Sequence, residues 1–187
     1  NASLGIDGFS YNFFGSESFE LSALVEPRWS FTDPDDSSLF DGIERDTALE
    51  AGLAANVNLG HIYFEGRALQ DISAVHKGHE GSLKVGFQRS FGDIGFDFGL
   101  GSTYRNKDLN LHLYGVKLDE ATATLTQYNP DDTIQPFIEG NVVVTIGNSM
   151  SVVAFGRMEE IADEIEASPL VSRSAEGTAG LLFLKSF

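Results

Sequence analysis

The residues of this sequence that could do chemistry are charged side chains set on the polar side of apolar-polar alternations. Glu20, Glu26, Arg28, Glu50, Glu65, Arg67, Asp71, Lys84, Asp97, Glu139, Arg157 and Glu159 all fall there. A strand sends successive side chains to opposite faces, so these residues are expected on one inward surface. In a confined space with little water such charges must pair, hydrogen-bond or shift their ionisation. A lattice of ion pairs would brace a narrow barrel, whereas an acidic excess would line a cation-preferring passage. Bracing is the favoured reading, since the inward glycines and alanines could relieve crowding as readily as admit water.

Three other constellations carry less. His76-Lys77-Gly78-His79-Glu80 sets two imidazoles and a carboxylate close together, making His76 and His79 candidate metal ligands. Lys77 adds repulsion and the nearest third imidazole, His112, lies on another expected loop, so a solvated loop is favoured. Asp33, Asp35, Asp36, Asp41, Glu44 and Asp46 offer oxygen ligands of the kind Ca²⁺ takes, but the EF-hand spacing is not met. A solvated acidic loop is expected there, with divalent ions bridging to lipopolysaccharide phosphates as a lesser possibility. No Ser/His or Asp/His spacing singles out a nucleophile and base, so a non-enzyme without cofactor is expected.

The elements that must position these charges are strands. Phe19, Leu21, Ala23, Val25, Pro27, Trp29 and Phe31 oppose Glu20, Ser22, Glu26 and Arg28. Leu49, Leu53, Val57 and Leu59 oppose Glu50, Asn56 and Asn58, and Ile62, Phe64 and Ala68 oppose Tyr63, Glu65, Arg67 and Asp71. Leu83, Val85 and Phe87 alternate with Lys84 and Gln88; Ile94, Phe96, Phe98 and Leu100 alternate with Gly95, Asp97 and Gly99. Ile138, Val142, Val144 and Ile146 oppose Glu139 and Asn141, while Phe9–Phe13 and Met150–Met158 alternate less cleanly. With a terminal segment the count is about nine strands of the length that a tilted transmembrane strand needs. Helical periodicity is nearly absent, with some propensity only over Arg157–Ala167.

The connections sort by length. Gly15–Ser18, Gly60, Gly92-Asp93 and Gly147-Asn148 are short; Thr32–Asp46, His76–Glu80, Arg105–Thr133 and Ala162–Ser174 are longer. Alternation of short turns and long loops is the habit of transmembrane antiparallel up-and-down β-barrels, and the fold expected is of that all-β class. Aromatics mark both ends of the outward stripes. Trp29, Phe31 and Tyr104 fall toward the long loops, and Phe13, Phe19, Phe91 and Phe187 toward the short turns, depths that suit amphipathic rings at a membrane interface. The last segment carries Phe183 and Phe187 on one stripe, the pattern that barrel-assembly machinery reads, with Lys185 where an aromatic is commoner.

Composition agrees. The chain has 187 residues, 20 Gly, 15 Phe and no Cys, so one domain without disulfides or thiol chemistry is expected. No apolar run is long enough for a transmembrane helix. A formal charge of −16 opposes nucleic-acid binding and anchorage through a basic patch. No signal peptide stands at Asn1; an exported protein would have lost it or carried it upstream. Counting back through about nine strands from a periplasmic Phe187 leaves Asn1 outside, which predicts an odd number of strands upstream of a single barrel domain over 1–187.

Several stretches carry a family resemblance. Gly42-Ile43-Glu44-Arg45-Asp46-Thr47-Ala48-Leu49-Glu50-Ala51-Gly52-Leu53, Asp71-Ile72-Ser73-Ala74-Val75-His76-Lys77-Gly78-His79-Glu80, Tyr114-Gly115-Val116, Tyr128-Asn129-Pro130 and Ser168-Pro169-Leu170-Val171 run in order along the chain. Together they resemble the MipA/OmpV family of outer-membrane proteins. The ending differs, being Lys185-Ser186-Phe187 where the family usually has Tyr-Arg-Phe or Tyr-Lys-Phe. The resemblance implies a barrel of about twelve strands in the Gram-negative outer membrane, in contact with lipid and lipopolysaccharide. It also implies a scaffold that contacts a lytic transglycosylase and a murein synthase, with no defined active site. A narrow porin-like channel is the alternative.

Overall fold

The computed structural model describes residues 1–5, 8–29, 43, 45–147 and 149–185. Alternating segments become strands wherever one face is apolar and the other polar. They are β1 (Ala2–Gly5), β2 (Gly8–Gly15), β3 (Phe19–Arg28), β4 (Ala48–Leu59), β5 (Ile62–Asp71), β6 (His79–Phe91) and β7 (Ile94–Arg105). The helix α1 (Lys107–Tyr114) follows, then β8 (Thr133–Ile146), β9 (Met150–Glu160), the short α2 (Asp163–Glu166) and β10 (Ala175–Lys185). All ten strands lie in one sheet in chain order, each antiparallel to the next, and the sheet is not closed: β1 and β10 are its edges.

One strand more than expected is present, because Ala2–Gly5 pairs with β2. The ten strands among the described residues bring Ala2 and Lys185 to the same end of the sheet. The irregular alternation around Phe13 also has a cause: a register shift lies between Asn12 and Phe14, the mark of a β-bulge. The short turns hold their glycines for backbone reasons. Gly60 and Gly92 have φ of +76° and +57°, a region that clashes with an L side chain.

Helix α1 lies inside the segment expected to be a plain loop. Asn106 caps it, its side chain accepting from the Leu109 amide, and Asp108 sits in the first turn. The propensity read over Arg157–Ala167 resolves instead into the end of β9 and the four residues of α2.

The outward stripes leave large apolar side chains uncovered: Leu83 is 71% exposed, Leu100 61% and Phe98 55%. The apolar core is elsewhere. Ile43, Val116 and Leu125 pack with Ala121, Tyr128 and Leu170, all from long connections. Those connections fold together into a cap at the long-loop end of the sheet, with Ile165 of α2 and Leu109 of α1 fully buried.

Candidate functional site

Side chains on one face of the sheet meet across intervening strands, which only a concave face permits. Tyr63 on β5 donates to Asp97 on β7 at 2.8 Å, and Gln88 on β6 donates to Asn58 on β4 at 2.9 Å. Lys84 on β6 reaches Glu139 on β8 at 2.8 Å, and Arg67 on β5 pairs with Glu26 on β3. This concave surface is the face on which the alternating charges fall.

Most of the ion pairs join into one lattice. Lys84 Nζ bridges Glu65 at 3.2 Å and Glu139; Arg157 then joins Glu139 at 2.9 Å to Glu159 at 2.7 Å. Arg105 carries the chain from Glu159 at 2.9 Å to Glu80 at 2.8 Å, and Arg28 from Glu80 at 3.3 Å to Glu50 at 2.7 Å. Its last members, contributed by β3, β4, β6, β7 and β9, form a belt beneath the cap. The Arg157 guanidinium also lies 3.6 Å from the Phe137 ring centroid, a cation–π contact.

Five expected members stand apart: Arg67 and Glu26 pair with each other outside the lattice, and Asp97 takes the Tyr63 hydroxyl instead of a cation. Glu20 is exposed and makes no ion pair among the described residues. Asp71 pairs with no cation; it accepts from the Ser73 amide and hydroxyl and from the His76 and Lys77 amides, at 2.7–2.8 Å. It thereby winds the β5–β6 loop into a tight turn in which Ala74 and Lys77 take φ of 61° and 59°. Conversely, Glu80 and Arg105 were not among the expected members, being assigned to loops. Extending the polar face of β6 back from Lys84, and that of β7 on from Asp97, would have found both.

The His76–Glu80 loop is not solvated throughout. His76 is buried and His79 exposed, and the two do not come together: His79 stacks on Tyr104 at 5.7 Å between ring centroids. His76 instead meets His112 of α1 at 5.1 Å between centroids. The Gly78 amide donates to His76 Nδ1 at 2.9 Å, which leaves Nε2 to face Glu50 Oε1 at 3.2 Å, off the line of a good hydrogen bond. Among the described residues no group of three His, Asp or Glu is placed to hold a metal ion. Of the acidic loop, only Arg45 and Asp46 among its charged residues are described. Arg45 enters the cap and pairs with Glu120, and its Nη2 donates to the Gly115 carbonyl at 2.7 Å. Burial would raise the Glu120 carboxyl, but the Arg45 hydrogen bond and the Lys117 amide hold it below its ordinary value.

Of the expected interface aromatics, Phe13, Trp29 and Phe91 are exposed; Phe19 packs on Phe14 at 5.9 Å. Tyr104 is half-buried, its hydroxyl donating to Asp132 at 2.8 Å. Phe183 is exposed on β10, whereas Phe31 and Phe187 lie outside the described residues.

The chain matches, over residues 2–187, the family model described as MltA-interacting protein MipA. The putative outer membrane protein YiaT of Escherichia coli (strain K12) is 24% identical over 148 residues, which cover 79% of this chain and 60% of YiaT. The MltA-interacting protein of the same strain is 31% identical over 80 residues, 42% of this chain and 32% of that protein. The Shigella flexneri protein of the same name matches to the same extent. The chain thus spans less than two-thirds of the length of the relatives it matches. No solved structure matches it significantly. With ten sequential strands under a match that runs nearly end to end, the chain belongs to the MltA-interacting protein MipA family.

Proposed function

We propose that this chain forms the wall of an outer-membrane β-barrel that serves as a non-enzymatic scaffold for periplasmic murein-remodelling enzymes. The observation that carries the membrane part is the inverted distribution of polarity. Leu, Phe and Ile line the outside uncovered, while the charges face one another on the concave side. A bilayer suits that arrangement, and water does not. The relatives' names, an outer membrane protein and an MltA-interacting protein, support the location and the interacting role.

On this reading the short turns face the periplasm and the lattice braces the wall. Phe13, Trp29 and Phe91 sit at the membrane interfaces, and Phe183 lies on the stripe presented to the barrel-assembly machinery. Strands outside this chain pair with β1 and β10 and close a barrel of about twelve. The outer face meets lipid and lipopolysaccharide, and export uses a signal peptide that is then removed.

A pull-down tests the scaffold role, with the barrel immobilised and a lytic transglycosylase and a murein synthase offered. Retention above a control barrel is expected, and loss of both to control levels ends the proposal. The excess of carboxylates favours a second reading, a narrow cation-preferring channel. The cap across the long-loop end supports a closed barrel instead, so planar bilayers at neutral pH should show no unitary steps. Clear cation-selective steps would replace the scaffold by the channel.

A further inference from the structure

The cap is fixed unevenly. At its start α1 is pinned to the strand ends: Asn106 Oδ1 accepts from the His79 amide at 2.9 Å, and Asn110 Nδ2 donates to the Asp131 carbonyl at 2.7 Å and to Thr133 Oγ1 at 3.1 Å. Leu109 is fully buried against Gly78, where even a Cβ would meet the Leu109 amide nitrogen at 2.5 Å. At its other end α1 rests through His112 on His76, ring to ring, while the Tyr114 carbonyl accepts from Ser168 Oγ at 2.5 Å and the Gly115 carbonyl from Arg45 Nη2 at 2.7 Å. The His112 ring makes no hydrogen bond to a described residue and is 6% exposed. The buried His112 ring cannot take up charge in place at no cost. His76 Nδ1 accepts from the Gly78 amide at 2.9 Å, which fixes the ring that His112 meets.

We infer that the cap is an acid-released lid, docked through the His112–His76 contact while His112 is neutral and lifted from its C-terminal end when His112 becomes charged. The groups around the stack set the direction. His112 faces His76 from the β5–β6 loop, Arg45 from the segment before β4, Lys117 from the stretch after α1 and Arg28 from β3. Among the described residues two carboxylates lie near, and both are committed. Glu50 on β4 holds Arg28 and faces His76 through the same Oε1, and Glu120 holds Arg45. A proton on His112 therefore adds a cation to a group of cations with no uncommitted anion among the described residues to meet it.

Burial first, and then those cations, depress His112 from its ordinary 6.5 to about 4. The sign follows by linkage. Between these values the docked lid binds fewer protons than the lifted one, so docking is fully present above pH 6.5 and weakens as the pH falls toward 4. The equilibrium shifts by roughly 300-fold over the whole window, and by about 30-fold at pH 5. Against burial, the Arg45 hydrogen bond and the Lys117 amide hold the Glu120 carboxyl below its ordinary value.

The chain has no cysteine, so an introduced thiol is the single one within these residues. Val116, fully buried in the cap core, is replaced in Val116→Cys; Leu118→Cys, at a position 76% exposed, gives the reagent's own pH dependence. The full protein in lipid vesicles is treated with a pyridyl disulfide, which reacts with thiols in acid. The Val116→Cys rate, divided by the Leu118→Cys rate, should rise about 30-fold from pH 7.5 to pH 5. Adding His112→Phe, which keeps a neutral ring, should flatten the profile, and His112→Lys should raise the rate at both pH values. A ratio that is equal at the two pH values, or a rise that survives His112→Phe, overturns the inference. Should Val116→Cys not fold, Leu125→Cys probes the same core and is judged by the same outcomes. The readout involves no murein enzyme, so the lid and the scaffold role fail independently.

Discussion

Arg28→Met should loosen the belt beneath the cap, by an amount that can be worked from its contacts. Arg28 Nε lies 2.7 Å from Glu50 Oε1 and Nη2 lies 3.3 Å from Glu80 Oε1. The Glu50 side chain is 2% exposed and Glu80 17%. Removing one partner of a buried pair costs about 3–5 kcal/mol, chiefly because the other charge is left uncompensated. Here Glu80 keeps Arg105 at 2.8 Å and Glu50 keeps only the 3.2 Å contact with His76. The expected cost is therefore at the low end, about 3 kcal/mol, and nearly all of it belongs to Glu50. Adding Glu50→Gln removes that stranded charge, so the double variant should be less destabilised than Arg28→Met alone, at about 1–2 kcal/mol. Urea titration in lipid vesicles measures this. Trp29, the only tryptophan, reports locally, and the gel mobility of heated against unheated protein reports the whole barrel. A single-variant loss below about 1 kcal/mol, or losses that simply add, would refute the buried lattice.

Other outcomes follow from single contacts. Asp71→Asn halves the acceptors that hold the β5–β6 loop, at a cost of about 2–3 kcal/mol; it should be read as faster tryptic cleavage after Lys77 with the barrel still folded. Gly86→Ala puts a Cβ 2.2 Å from the Tyr63 ring, so Tyr63 must leave Asp97, and its fluorescence or ring shifts should change while strand pairing persists. Leu100→Lys places a charge on the outward stripe of β7. It should cost about 2–4 kcal/mol in vesicles if that stripe meets lipid at mid-depth, and an unchanged urea midpoint would remove the membrane reading.

The sheet was legible because period-2 alternation is a local signal and a one-residue slip would turn a whole strand inside out. The cap was not. Ile43, Val116, Leu125 and Ile165 are separate apolar residues without periodicity, and only folding of distant connections brings them together. Helix α1 is eight residues long, too short for a periodic stripe, although its start was written in Asn106 and Asp108. The inward charges were legible as a set, but not their full pairing: Lys84–Glu65, Arg157–Glu139 and Arg105–Glu80 lie across neighbouring strands, whereas Lys84–Glu139, Arg105–Glu159 and Arg28–Glu80 skip strands. Glu80 and Arg105 were lost to strand boundaries, whose position parity alone leaves open by a few residues. The His76–His112 contact unites a loop and a helix from different connections, and no spacing announces it.

The strictly sequential strand order has a kinetic consequence. Each strand pairs only with its chain neighbours, and on the short-turn side the hairpins close across two or three residues, so they form early and at little entropic cost. The contacts that skip a strand cannot exist in a flat sheet. Lys84–Glu139, Arg105–Glu159 and Arg28–Glu80 must await curling, and the cap must await β3 to β9, because its core draws on connections between them. Hairpins first, curvature next, lattice and lid last: until the final step, the charges of the concave face remain wet.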